Sequence, residues 1–279
     1  MSYRQTLIDL IKAPSAVPVE QLDITVGTVK TAYLQAGNGP AVICLHGAGA
    51  GAVTWYPSLG ALAEKYRVIV PDIIGYGESD KPDGAYDRPF FAAWLRDFMQ
   101  ALGIARAHIV GLSQGGAIAL QLALENPALV GKLVLVDSAA LGAQPSLLSF
   151  ISMLWMNLLP SNAASRFQSR FLLNDTAKRA PAHRHYSVEV LKKLGGKQAF
   201  SQGRGAAVAP MAEAELQCID HQTLIVWGED DNFFPMSHGQ AAAEKMPNAS
   251  FQSIPGAGHL PLMDQPEIFN QALLKFLAS

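Results

Sequence analysis

Short apolar runs rich in β-branched residues alternate along this chain with longer stretches whose apolar positions recur at helical spacing. The short runs predict strands over Leu22–Val26, Val29–Gln35, Ala41–Leu45, Arg67–Pro71, His108–Leu112, Lys132–Val136, Thr223–Trp227 and Phe251–Ile254. The helical stretches predict helices over Pro57–Lys65, Pro89–Leu102, Gln114–Asn126, Ser237–Met246 and Pro266–Leu277. Runs such as VICL, RVIV, HIVGL, KLVLV and TLIVW are continuously apolar rather than alternating, as expected of parallel strands covered on both faces by helices. The first two strands are separated only by Gly27-Thr28, so they pair as a hairpin. The pattern predicts an α/β protein with a mostly parallel eight-stranded sheet, antiparallel at its start.

The strand and helix rhythm stops after Val136 and resumes at Thr223. Residues 142–212 hold helical patterns without a convincing strand, so they are read as a helical cap inserted between two parts of the core, 1–141 and 213–279. That interval carries nine Lys and Arg against only Asp175 and Glu189, an excess of seven positive charges in a chain whose formal charge is −2. Such an excess fits attraction of carboxylate-bearing substrates, and equally a solvated basic face. The apolar run Leu147–Pro160 is about 14 residues long, against the roughly 20 that a spanning helix needs. It is expected to pack the cap on the core and to form one wall of a pocket.

Composition narrows the function classes. At 49% hydrophobic and 16% charged residues, the chain has ample material for a core and is not disordered. The balance of 21 Lys and Arg against 23 Asp and Glu gives no electrostatic footprint for nucleic acid. Cys44 and Cys218 are too few and too far apart for a disulfide framework or a zinc site, and both read as small buried hydrophobes. Asp9 and Lys12 interrupt what would be the apolar stretch of a signal peptide, so a cytoplasmic protein without a membrane partner is expected. Association into a homo-oligomer is left open by the sequence.

The local chemistry centres on Gly111-Leu112-Ser113-Gln114-Gly115-Gly116, between a predicted strand and a predicted helix. In that context G-x-S-x-G forms a strained turn that projects the serine at the carboxyl end of a sheet, with glycines allowing strand and helix to approach. A serine hydroxyl needs a base to take its proton, and the base needs an acid to fix its tautomer. His259 lies in the glycine turn PGAGH after the last strand, and Asp230 and Asp231 directly follow TLIVWG. The loop His46-Gly47-Ala48-Gly49-Ala50-Gly51 follows the third strand, so the amides of Ala48 and Gln114 are candidate donors to an oxyanion. His46, at a strand end, is read as a structural hydrogen-bonding residue rather than a ligand.

These stretches resemble the α/β-hydrolase superfamily, in the branch with a helical cap after the sixth strand. The matching segments are HGAGA at 46, DIIGYGESDKP at 72, GLSQGG at 111, LVLVDSA at 133, WGEDDNFFP at 227 and GAGHLPLMDQPE at 256. The resemblance implies Ser113 as nucleophile, His259 as base and Asp231 as acid, with Asp230 as its neighbour and Asp137, at the end of the sixth strand, as the position some members use instead. Haloalkane dehalogenases and epoxide hydrolases carry aspartate where this chain has Ser113. Hydrolases of C–C bonds in meta-cleavage products are similar in length and order, but they commonly carry Asn before the serine and Trp after the histidine, where this chain has Leu112 and Leu260. The GLS elbow is closer to enol-lactone hydrolases and carboxylesterases. The expectation is therefore a serine hydrolase of carboxylic esters or lactones that requires no metal or nucleotide. C–C hydrolysis and a ligand-binding receptor with a retained triad are the alternatives.

Overall fold

The computed structural model describes residues 3–12, 17–142, 145–203 and 205–279. The strands are β1 (Val19–Val26), β2 (Val29–Ala36), β3 (Ala41–Leu45), β4 (Arg67–Pro71), β5 (Ala107–Leu112), β6 (Val130–Val136), β7 (Thr223–Gly228) and β8 (Ala249–Ile254). The helices are α1 (Tyr3–Lys12), α2 (Leu59–Ala63), α3 (Arg88–Ala101), α4 (Gln114–Glu125), α5 (Leu147–Leu158), α6 (Asn162–Leu172), α7 (Pro181–Lys192), α8 (Gln198–Gly203), α9 (Glu213–Gln217), α10 (Met236–Lys245), α11 (Pro261–Asp264) and α12 (Pro266–Ala278). All eight strands join one sheet in the order β1-β2-β4-β3-β5-β6-β7-β8. β2 is antiparallel to both β1 and β4, and the other neighbours run parallel.

The continuous apolar runs have a direct physical cause. Side chains of a strand alternate between faces, and here both faces are buried. Ile43, Leu45, Ile109, Leu133, Leu135 and Ile225 enter a core with Phe91, Leu95 and Phe98 of α3 and Ile118 and Leu122 of α4. Val42, Cys44, Val110, Val134, Val136 and Val226 enter a second core with Leu7 and Ile8 of α1, Leu59 and Leu62 of α2 and Phe269 and Leu273 of α12. β1 begins three residues before its predicted start, because Val19 and Glu20 pair with Ala36 and Gln35 although this edge strand shows exposed polar side chains.

Between β6 and β7 lie α5 to α9, with no strand among the described residues. The leading helix corrects the sequence expectation. Leu147, Leu148, Phe150, Ile151, Trp155, Leu158 and Leu159 are exposed, whereas Ser149, Ser152, Met156 and Asn157 are buried. The apolar run therefore supplies much less packing to the core than its composition implied. Cys218 is exposed, so only Cys44 behaves as a buried hydrophobe. No helix among the described residues is long and apolar enough to cross a membrane.

The sequence reading contained no helix at α1, yet Leu7, Ile8 and Ile11 are buried and Arg4 shares their face at helical spacing. Arg4 Nη1 donates to Asp72 Oδ2 at 2.7 Å, and both side chains are buried. Asp72 also accepts the amide N–H groups of Ala52, at 2.5 Å, and Glu78, at 3.0 Å. Burial alone would push this carboxyl up, but Arg4, His46 and the two amides outweigh it and hold Asp72 below the usual carboxylate range. Arg4→Met leaves a buried charge without its cation and is expected to cost about 3–5 kcal/mol in urea unfolding at neutral pH. Because the folded carboxyl titrates below its unfolded value, its stabilisation is present above the ordinary carboxylate range and lost as pH falls through the folded value. The difference between wild type and variant should accordingly shrink in acid.

Candidate active site

The carboxyl ends of β5, β7 and β8 carry Ser113, Asp231 and His259 in the turns that follow them. Ser113 adopts φ 53° and ψ −116°, a conformation unfavourable to a residue with a Cβ. Backbone bonds hold it there. Its N–H donates to Val136 O at 2.9 Å, and its carbonyl accepts from Gly116 at 3.0 Å and Ala139 at 3.1 Å. The side chain does not cap α4, which leaves the hydroxyl available for chemistry. The turn is possible because strand and helix nearly touch. A Cβ on Gly115 would lie 2.5 Å from Leu45 O and 2.8 Å from His46 O, and one on Gly111 would collide with the Gly115 carbonyl.

His259 Nδ1 lies 2.9 Å from Asp231 Oδ2, with side chains only 3% and 1% exposed. The Asp231 carboxylate is held from its other side, since Oδ1 accepts the N–H groups of Phe233, at 2.6 Å, and Phe234, at 3.1 Å. The same two residues fix the imidazole plane. The Phe233 ring stacks on it at 4.8 Å and 27°, and the Phe234 ring meets it edge-on at 5.4 Å. Nδ1–H donating to Asp231 leaves Nε2 with its lone pair free, the tautomer a base requires. Asp230 is exposed, and its backbone rather than its side chain is engaged, with N–H on Ala257 O at 2.9 Å. Of the two neighbouring aspartates, Asp231 is the one brought to the histidine.

The loop after β3 is also built as a backbone surface. Gly47 packs against Ser113, where a Cβ would lie 3.3 Å from the serine Cβ. Ala48 is exposed beside it, and Gln114 opens α4, so its N–H has no partner within the helix. His46 is fully buried. Its Nδ1 contacts Gly47 O at 2.8 Å and its Nε2 accepts the Ile73 N–H at 3.0 Å, so it ties two loops together, and burial lowers its pKa. The structural reading of His46 fits these bonds.

Two residues already visible in the sequence, Asp137 as an alternative acid and Arg179 as one of the nine positive charges of 142–212, have surroundings that the sequence did not show. Asp137 sits fully buried beside Asp231, with Oδ1 accepting the Gly228 N–H at 2.9 Å. Arg179 of the cap is also buried, donating to His183 at 2.7 Å, Ser169 at 2.8 Å and Ser187 at 2.6 Å, and burial lowers it to about 10. Its charge is therefore not offered to solvent, although the count of cap charges includes it. Asp137, Asp231 and His259 place potential ligand atoms within 4.8 Å of one another. The Asp231 and His259 atoms in that group already bond each other, which argues against a metal there. A separate cavity lined by Arg106, His108, Lys132 and His221 opens at the amino-terminal ends of the strands, on the edge opposite Ser113.

Residues 40–266 match the model of the alpha/beta hydrolase fold family, and the chain belongs to that family. It is 34% identical over 262 residues, 88% of this chain and 90% of the relative, to a 2-hydroxy-6-oxo-6-phenylhexa-2,4-dienoate hydrolase of Burkholderia cepacia. Among solved structures, a meta-cleavage product hydrolase from Pseudomonas fluorescens IP01 superposes with TM-score 0.83 at 26% identity, covering 92% of this chain and 97% of that one. A bacterial membrane phospholipase A superposes with TM-score 0.84 at 27% identity, covering 99% of this chain and 89% of that one. The chain is a hydrolase by family, and its relatives cleave more than one kind of bond.

Gly115→Ala is expected to destabilise the fold by about 3 kcal/mol, because backbone rather than a flexible side chain must yield. Gly103→Ala, where open space surrounds the added methyl and only the positive φ is strained, should cost about 1 kcal/mol. Urea midpoints of the two variants check the contrast.

Proposed function

We propose that this protein is a serine hydrolase of carboxylic esters or lactones that works through an acyl-enzyme on Ser113. The observation that carries the reading is the buried bond between His259 Nδ1 and Asp231 Oδ2, which leaves Nε2 as the nitrogen able to act as a base. Ser113 Oγ attacks the acyl carbon while His259 Nε2 takes its proton. Asp231 balances the resulting imidazolium, and the amides of Ala48 and Gln114 donate to the oxyanion. His259 then gives its proton to the departing alkoxide. A water deprotonated by His259 attacks the acyl-enzyme, and collapse of that second intermediate releases the acid and restores Ser113. All of these steps use the chain's own groups.

A second reading is hydrolysis of a C–C bond in a dienoate, favoured by the name of the Burkholderia cepacia relative. Against it stand the neighbours of the nucleophile and base. Leu112 and Leu260 are apolar and buried, where C–C hydrolases of this kind commonly carry the polar Asn and Trp. An ester requires only the oxyanion donors and an apolar surround, whereas a dienoate brings a carboxylate and an enol that need polar partners. The basic cap fits substrates bearing a carboxylate in either case.

The test is steady-state turnover of p-nitrophenyl esters of graded chain length beside a ring-cleavage dienoate, with Ser113→Ala as control. Ester turnover is expected, falling at least about a thousandfold in the variant while thermal unfolding stays unchanged. Dienoate turnover without ester turnover would transfer the protein to the C–C hydrolases. Saturable binding without turnover of either would leave the receptor reading in its place.

A further inference from the structure

Asp137 is fully buried at the end of β6, at a positive φ of 41° that a residue with a Cβ rarely adopts. Its main chain is tied down by its N–H on Val226 O at 3.0 Å, and its Oδ1 accepts the Gly228 N–H. Its other oxygen, Oδ2, is buried and receives no donor. The side chain nevertheless lies close to the Asp231 carboxylate, since atoms of Asp137, Asp231 and His259 fall within 4.8 Å of one another. Both Asp231 oxygens already accept bonds, from two amides and from His259. Two ionised carboxylates in contact, shielded from water, would repel. A proton on one of them turns the same contact into a strong O–H···O bond.

We propose that Asp137 is a positioning residue of the catalytic site, a protonated carboxylic acid whose Oδ2–H donates to Asp231 and thereby holds the charge and the geometry of the acid that orients His259. The proposal rests on the reading of Asp231 and His259 as acid and base. Of the two carboxyls, Asp137 is the one to hold the proton. Asp231 has three donors to stabilise its charge and Asp137 has one. Burial first, and then the charge of Asp231, push the Asp137 carboxyl well above the usual carboxylate range. The charged groups acting on it come from the turn after β7, Asp231, and from α11, Asp264, and both are acids. His259 completes the cluster from the β8 side, and His238 of α10 faces Asp231 rather than Asp137.

The bond has a consequence for the base. A neutral donor on Asp231 draws off part of its charge, so the carboxylate attracts the imidazolium less strongly than a bare buried carboxylate would. Removing the donor leaves Asp231 with its full charge against the imidazolium, and the acid limb of activity should move to higher pH. Ionising Asp137 in alkali would place a second negative charge against Asp231 and disturb the same geometry.

Asp137→Asn and Asp137→Ala separate these effects. Asparagine keeps an acceptor for Gly228 and an N–H for Asp231 in the same shape but cannot ionise; alanine removes both. The readouts are the pH profile of kcat/KM on a p-nitrophenyl ester, the rate of fluorophosphonate labelling of Ser113, and the infrared carbonyl stretch at neutral pH. The wild type should show the band of a protonated buried carboxylic acid, absent from Asp137→Asn. Asp137→Ala should move the acid limb to higher pH and slow labelling at neutral pH by about tenfold, and Asp137→Asn should restore the acid limb and abolish any alkaline fall. A missing band in the wild type overturns the proposal. So do two variants that are equally slowed with both limbs unmoved, the result of a purely structural role. If Asp137→Ala does not fold, the band and the Asp137→Asn profile decide. A wild type that is not labelled would instead defeat the reading of Ser113 as nucleophile, and the infrared band would still judge Asp137.

Discussion

The approach of α4 to the strands at Gly111 and Gly115 sets the position of everything else at the site. With Gly115 against the carbonyls of Leu45 and His46, the helix that begins at Gln114 is pressed onto the end of β3 as well as β5. That single contact fixes the Ser113 turn and the loop after β3 relative to each other. It also explains how Ser113 is kept at an unfavourable φ, since its N–H and carbonyl are bonded to Val136, Gly116 and Ala139, which belong to three different segments. The strain is local, and the packing that opposes it is spread over two parallel strands and a helix.

The sheet buries two further carboxylates and treats them in opposite ways. Asp72 is given a guanidinium and two amide donors, so it stays charged and acts as a clamp between α1, the Ala52 turn and the Glu78 turn. Asp137 is given one amide and the neighbourhood of other acids, so the neutral form is favoured. A buried carboxyl is costly when charged and alone, and each site resolves that cost with the groups at hand. The first solution stabilises the scaffold, and the second sets a neutral acid beside Asp231 and His259. Neither can be inferred from residue type, because both are aspartates that follow a strand.

Much of the fold was legible because the signal was periodic and strong. Central strands such as VICL and KLVLV are buried on both faces, and no other environment suits four consecutive apolar residues so well. The order Ser113, Asp231, His259 was legible because each lies in a turn directly after a strand, where a parallel sheet collects its functional residues. The resemblance in WGEDDNFFP already favoured Asp231 over Asp230, and the structure adds the 2.9 Å contact of Asp231 Oδ2 with His259 Nδ1. Helix α1 is less legible, although Arg4, Leu7, Ile8 and Ile11 carry a helical pattern, because the segment is only ten residues long and its pattern also suits the start of a targeting segment. Asp72 was missed because its partner, Arg4, lies 68 residues away in sequence.

The cap shows where composition misleads most. An apolar helix next to a polar core edge should turn its leucines inward, yet α5 turns serines inward instead. The reason is visible in its bonds. Ser149 Oγ donates to Asn232 O at 2.7 Å, in the turn that carries Asp231, and Ser152 Oγ donates to Ser149 O within the helix. The inward serines thus bond the carbonyl of that turn and the backbone of their own helix. Helix α5 is thereby bonded to the residue following Asp231, and not only packed on the core through apolar contact. Displacing α5 would have to break this bond or carry the Asp231 turn with it, so cap position and acid geometry share one mechanical link.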